Sequence, residues 1–412
     1  MACQAASSGP QPSDIEALYP NIESLYIDIH SNPELAFEEK RTAAELAGRL
    51  KELGYEVTTG VGGTGVVGLL KNGAGPVVML RTELDALPVT EQTGLPFASK
   101  TPGVMHACGH DLHMAAWAGT AQWMAGHRQQ WHGTLMMIGQ PAEEAGSGAS
   151  AMLKDGLFVR FPKPDFAIAL HDDDTLPAGQ IGYHAGFFRS AADFLTVTIF
   201  GRGGHGAMPQ NTVDPVVIAA RTILTWQTIV SRENDPQNPV VLTVGAIQGG
   251  TKNNIIPDQV QLLLSIRTFD ARVRERVLEA VARIAKGEAE AGGAPREPLI
   301  ERTSGMASGE AVYNDPELTS RLAAALKKGM GPGNVVEMPA KMTSEDFSEY
   351  GRAGVKAVLL HIGAVDPAKL AESRRTGIPV PAPHSPQWAP VRETTIKAAV
   401  QAETLALLDL LN

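Results

Sequence analysis

Nine consecutive residues, Met105-His106-Ala107-Cys108-Gly109-His110-Asp111-Leu112-His113, hold three imidazoles, a thiol and a carboxylate. A lone cysteine or histidine usually packs as a small core residue. A thiol two positions from an imidazole, with further ionisable groups beside it, is a metal-ligand composition. Met114, Trp117, Ala118, Ala121 and Met124 follow at helical spacing. Cys108 and His110 are therefore expected at a helix N-terminus, where the dipole favours a thiolate.

Other stretches offer complementary chemistry. Glu143-Glu144 follows Gln140-Pro141-Ala142 and precedes a glycine-rich turn. Adjacent carboxylates at a strand end diverge, so one suits a metal and the other suits a base acting on water. His171 leaves an apolar run and reads as a ligand, whereas Asp172-Asp173-Asp174 after it reads as a solvated charge run. His384 sits in the rigid loop Pro381-Ala382-Pro383-His384-Ser385-Pro386. Gly201-Arg202-Gly203-Gly204-His205-Gly206 lacks the context of a phosphate loop, and His205 is better placed to polarise a carbonyl. Asn254 and Arg267 together suit a carboxylate.

The elements needed to position these groups alternate in type. Apolar periodicity predicts helices over 14–30 and 38–53, and strands over 55–57, 66–70, 77–80, 135–138 and 165–170. Arg81-Thr82-Glu83-Leu84-Asp85, Glu143-Glu144 and His171 then all fall at C-terminal strand ends, the ligand-binding edge of an open α/β sheet. From about Ala185 the texture changes to half-exposed strands with two amphipathic helices, and it returns to α/β after Gly292-Gly293-Ala294-Pro295. The expected fold class is α/β, with an inserted α+β domain. The boundaries are a disordered leader over 1–13, a catalytic domain over 14–186 and 302–412, and an insertion over 187–301.

The 412 residues suffice for two domains. A net charge of -10 argues against nucleic acid, which needs a basic surface. No apolar run reaches the roughly 18 residues of a membrane span. Two cysteines, Cys3 and Cys108, exclude a disulfide framework. Cys3 lies in a small-residue tail with no apolar segment before it, so a soluble, cytoplasmic protein is expected. The alternative is a lipoprotein junction whose signal has been removed, which implies a periplasmic or secreted protein.

Arg81-Thr82-Glu83-Leu84-Asp85-Ala86-Leu87-Pro88, the Cys108–His110 stretch, Gln140-Pro141-Ala142-Glu143-Glu144, Gly204-His205-Gly206-Ala207, Asn254-Ile255-Ile256-Pro257 and Ser344-Glu345-Asp346-Phe347 resemble the M20 metallopeptidase family. They match its amidohydrolase branch, which includes N-acyl-amino-acid, hippurate and indole-acetyl-amino-acid hydrolases. The resemblance runs from about residue 15 to 410. It implies two divalent metal ions per subunit, with Zn first and Mn, Co or Ni as alternatives. Cys108, His110, Glu144, His171 and His384 would be the ligands. Glu143 would be the general base, Asp85 the carboxylate that orients a ligand, and His205 the oxyanion stabiliser. Asn254 and Arg267 would hold the substrate's carboxylate.

The resemblance also implies that the insertion is a lid through which a homodimer or higher homo-oligomer forms. The implied substrate is an N-acyl or N-aroyl amino acid, with the aroyl-phenylalanine amide of ochratoxin A as a candidate. A dipeptidase or carboxypeptidase of the same fold, or a binding protein without catalysis, are the rival readings. The family usually has Asp at position 83. Glu83 carries its carboxylate about 1.5 Å further, by one bond length, and is grouped with the substrate-binding residues.

Overall fold

The structure is a computed structural model that describes residues 9–303 and 309–412. Cys3 and most of the expected leader lie outside these residues. Pro12 and Ser13 do not belong to a leader, because they open the first helix, α1 (Pro12–Ser31). Proline at the first helical position forfeits no bond, and Gln11 and Asp14 cap each other's backbone.

In chain order the first part contains α2 (Lys40–Glu52), β1 (Glu56–Val61), β2 (Gly65–Asn72), β3 (Val77–Glu83), α3 (His110–Gly126), β4 (Gly133–Gln140), α4 (Gly148–Lys154), β5 (Phe166–Pro177) and β6 (Ile181–Tyr183). Then come β7 (Ala191–Phe200), α5 (Pro215–Thr228), β8 (Val240–Gln248), β9 (Gln259–Thr268), α6 (Ala271–Ala291) and β10 (Leu299–Arg302). The chain continues through α7 (Pro316–Met330), β11 (Val335–Glu337), β12 (Lys356–Val365) and α8 (Arg392–Leu410).

Two compact units result. The first holds residues up to Phe188 with Tyr313–Pro339 and Asp346–Asn412. Its eight-stranded sheet has the order β1-β2-β4-β3-β5-β12-β6-β11. Its centre, β4-β3-β5-β12, is parallel, which aligns Glu83 with Gln140 and His171 with His361. One edge of the sheet thus collects the ends of β3 and β4 beside the His171 stretch of β5. Helix α3 is buried nearly all round, packed against α1, α8 and the sheet, as a helix apolar on every face must be. Trp117 donates its indole N–H to the Leu80 carbonyl at 3.1 Å, which fixes α3 against β3.

The second unit comprises Arg189–Val312 and Ala340–Glu345. Its sheet, β8-β9-β7-β10, is antiparallel. Alternate β9 residues, among them Leu262, Leu264 and Ile266, are buried with Val273, Val277, Val281 and Ile284 of α6. Asp214 and Asp270 cap α5 and α6. The anticipated return to the first unit at residue 302 is too early. Gly309 donates its N–H to the Ala192 carbonyl at 3.0 Å, and Ser190 donates to Thr343 at 2.9 Å, so the segments around them stay with this unit. Among the described residues no helix is long and apolar enough to cross a membrane.

Candidate metal centre

The turn before α3 requires glycine twice over. Gly109 has φ +78°, and a Cβ there would lie 2.3 Å from an Asp172 carboxylate oxygen. This tight approach sets Cys108 and His110 against the end of β5. Cys108 Sγ lies 3.6 Å from His171 Nε2. His384 is carried in by its loop on a left-handed backbone (φ +72°) whose N–H donates to the Ala107 carbonyl at 2.7 Å. Its Nε2 is 3.4 Å from Glu144 Oε1.

The five side chains expected to ligate are therefore brought together from four separate stretches. Ligand atoms of Cys108, His110 and His171 lie within 4.8 Å of one another, and so do those of Cys108, Glu144 and His384. Cys108 belongs to both groups. A third group joins His110, Glu143 and Glu144.

Backbone carbonyls fix the imidazoles. His110 Nδ1 donates to the Asp85 carbonyl at 2.8 Å, and His171 Nδ1 donates to the Asp172 carbonyl at 2.8 Å. When either ring is neutral, as a metal ligand must be, its lone pair is thus on Nε2, the nitrogen facing the cluster. His110 Nε2 and Glu144 Oε1 are buried with no hydrogen-bond partner among the described residues. Buried polar atoms rarely go unpaired. A divalent cation satisfies both, and the S, N and O donor set suits one.

The helix start was expected to favour the Cys108 thiolate, but burial and Glu144 push the thiol well above its ordinary value instead. A bound cation reverses that, since a coordinating thiol gives up its proton. Burial also pushes the Glu144 carboxyl up, yet His384 and His110 outweigh it and hold it below its ordinary value.

Asp85 works through backbone. Its two carboxylate oxygens accept the N–H groups of Glu143 and Glu144 at 3.0 and 2.9 Å, so it orients the glutamate pair directly. Glu143 is part-buried, with a carboxylate oxygen 3.8 Å from His110 Nε2. Glu83, grouped above with substrate-binding residues, is fully buried, and a carboxylate oxygen lies within 4.8 Å of ligand atoms of His110 and His113. One oxygen pairs with Arg81, and the other lies 3.0 Å from His113 Nδ1. Arg81 and His113 outweigh burial and hold its carboxyl well below the usual range. His113 Nε2 accepts the Asp172 N–H at 2.8 Å. Glu83 therefore braces the peptide that follows His171.

Asp172 and Asp173 overturn the expectation of a solvated run. β5 does not stop at His171 but runs to Pro177, and both carboxylates are buried. Asp172 accepts the Trp388 indole N–H at 3.0 Å, and Asp173 holds His361 Nδ1 at 2.6 Å. Sequence reading also passed over His30, which is buried between Asp111 (2.5 Å) and Glu91 (3.2 Å). The sequence shows only a histidine on the apolar side of α1; Asp111 arrives from the first turn of α3 and Glu91 from the loop before it.

His205, Asn254 and Arg267 all belong to the second unit. His205 is exposed and pairs with Ile255 in a short ladder, while Asn254 accepts the Gly206 N–H at 2.8 Å. His205 Nδ1 accepts the Ala207 N–H at 3.1 Å, which leaves Nε2 to carry the proton of the neutral ring. Arg267 is half-buried over the Phe194 ring and donates to Ser344 Oγ at 2.9 Å.

The sequence model of peptidase family M20/M25/M40 matches residues 79–375. The chain belongs to this family. It is a hydrolase, with the mixed α/β architecture of its relatives. Hippurate hydrolase of Campylobacter jejuni is 41% identical over 279 residues, 68% of this chain and 72% of that protein. An indole-acetyl-amino-acid hydrolase of Arabidopsis thaliana, ILR1-like 4, is 32% identical over 369 residues, 87% of this chain and 79% of that one. Among solved structures, the Bacillus subtilis YXEP protein is described as a dinuclear metal-binding peptidase of the M20 family. It superposes with a TM-score of 0.78 at 28% identity, covering 96% of this chain and 99% of its own.

Proposed function

We propose that this M20 hydrolase cleaves the amide bond of N-acyl or N-aroyl amino acids, using two divalent ions held by Cys108, His110, Glu144, His171 and His384. The observation that carries this reading is the pair of overlapping donor groups sharing Cys108, with the part-buried Glu143 beside them. Ions bound there supply Lewis-acid polarisation of the amide carbonyl and acidify a water. Zn suits the cysteine and histidines best, with Mn, Co or Ni as alternatives.

The remaining work falls to the chain. Glu143 takes the proton from the attacking water and returns it to the departing amine nitrogen. Asp85 keeps Glu143 in register by holding its N–H. The Nε2–H of His205 is the donor for the oxyanion. Asn254 and Arg267 are assigned to the substrate's carboxylate, for which a guanidinium fork is well suited. The second unit acts as lid and dimerisation domain. Val216 and Leu224 of α5 and Ile247 of β8 line an exposed apolar hollow suited to a second copy of the chain. Relatives that act on hippurate and indole-acetyl amino acids support an aromatic acyl group, and the aroyl-phenylalanine amide of ochratoxin A is one substrate of that type.

The test is a hydrolysis screen with metal analysis of the same sample. N-benzoylglycine, N-acetyl amino acids, ochratoxin A and a dipeptide with a free amine are compared. The expected result is turnover of acylated amino acids that disappears with chelation and returns with metal. Preference for the free-amine dipeptide would make this chain a dipeptidase.

A further inference from the structure

Three non-glycine residues among those described hold a left-handed backbone: Phe37 (φ +62°), Ala142 (φ +49°) and His384 (φ +72°). Such strain persists only where the surroundings impose it, and it collects at functional sites. His384 is in the metal centre, and Ala142 immediately precedes Glu143. Phe37 lies far earlier in the chain, yet one atom joins it to Ala142. Oε1 of Glu39 accepts the N–H of Phe37 at 2.8 Å and the N–H of Ala142 at 2.8 Å. Its other oxygen accepts the Thr64 hydroxyl. Glu39 is fully buried.

Glu39 occupies the N-cap position of α2, where an acidic side chain ordinarily satisfies the helix's first N–H groups. It makes no such bond. Glu34 caps the helix instead, accepting the Arg41 and Thr42 N–H groups at 3.0 and 2.8 Å. The carboxylate of Glu39 is thereby released to reach the loop after β4. Three successive N–H groups of that loop, at residues 142, 143 and 144, are taken by two carboxylates, Glu39 and Asp85.

We propose that Glu39 is a positioning residue for Glu143 and Glu144. It holds the Ala142 peptide in the left-handed conformation that aims the glutamate pair. This rests on the reading of Glu143 as base and Glu144 as ligand.

The test compares Glu39→Ala, Glu39→Gln and the double variant Glu39→Ala/Ala142→Gly, each in the metal-loaded full chain. Three readouts are taken: kcat and KM on N-benzoylglycine, Zn affinity by chelator competition, and hydrogen exchange of the peptide spanning 141–148. Removing a group that orients a metal ligand typically costs roughly 10- to 100-fold in affinity or activity. Glu39→Ala is expected to lose kcat and Zn affinity on that scale, with little change in KM and faster exchange at 141–148. Glu39→Gln keeps an oxygen for both N–H groups and restores most of the loss. Ala142→Gly, which adopts positive φ without strain, recovers part of it in the Glu39→Ala background. If Glu39→Ala does not fold, Glu39→Asp retracts the oxygen by one methylene and is expected to show a smaller loss with the same rescue.

Unchanged kcat, Zn affinity and exchange in a folded Glu39→Ala protein would overturn the proposal. So would a loss that Ala142→Gly leaves untouched. If the wild-type chain hydrolyses no N-acyl amino acid, the functional reading fails, while Zn affinity and exchange still judge Glu39.

Discussion

The two units present their chemistry in opposite ways. At the sheet edge of the first, nearly every donor is wired in place. His110 and His171 are held by carbonyls, Glu143 and Glu144 by Asp85, and the Asp172 peptide by His113. In the second, His205 and Asn254 are exposed on a short ladder held by backbone bonds. A buried cluster of lone pairs and carboxylates must be pre-organised before a cation arrives, because each misplaced donor pays its own desolvation. An exposed histidine carries no such requirement. Substitutions of the ligands and of the groups that brace them in the first unit should therefore disturb metal binding and stability, and those at the exposed residues of the second should disturb turnover alone.

The sharpest separation within the first unit is Glu143→Gln. It should lower kcat by roughly 10²- to 10⁴-fold, the range for a lost general base, while metal content measured by mass spectrometry stays at the wild-type value. Retained turnover would remove Glu143 from the mechanism. His205→Ala should cost about 10²- to 10³-fold in kcat as a lost oxyanion donor. Being exposed, it should shift stability by no more than about 0.5 kcal/mol. A large fall in Tm or in bound metal for this variant would erase the contrast between the units.

Asp85→Asn comes next. An amide offers one acceptor where two N–H groups need two, so activity and metal affinity should fall together, roughly 10- to 100-fold. A change in kcat at full metal affinity would show that Asp85 serves Glu143 alone.

The smallest effect concerns His30. Burial opposes its charge, but Asp111 and Glu91 outweigh burial and hold its pKa up to about 10, against an ordinary 6.5. A histidine raised on folding stabilises fully below its unfolded pKa, and that contribution is lost as pH rises through the folded value. His30→Gln should therefore destabilise most at pH 6, with the gap to wild type closing between pH 6.5 and 10 in denaturant titrations. A constant gap would mean that His30 is neutral.

Much of this architecture is visible in the residue order. Apolar runs ending in Arg81–Asp85, Glu143-Glu144 and His171 mark strands whose C-terminal ends carry chemistry, and a parallel sheet must bring such ends to one edge. The shift in texture near Ala185 marks the second unit. What sequence hides is the partnering. Asp172-Asp173-Asp174 looks solvated because three successive carboxylates usually are. Only the continuation of β5 to Pro177, with Trp388 and His361 arriving from elsewhere, buries two of them. Glu39 looks like an ordinary helix cap, and nothing local reveals that Glu34 takes that task. Glu83 stands out as a departure from the family pattern, but its destination, His113, is three-dimensional information.

Cys108 is the one residue common to both donor groups, so its removal tests the centre most directly. Equilibrium titration of Zn into Cys108→Ala, beside wild type, measures how many ions each binds. Wild type is expected to bind two, and the variant is expected to lose tight binding of both. A folded Cys108→Ala protein that still binds two ions with wild-type affinity would contradict a centre built on this thiol.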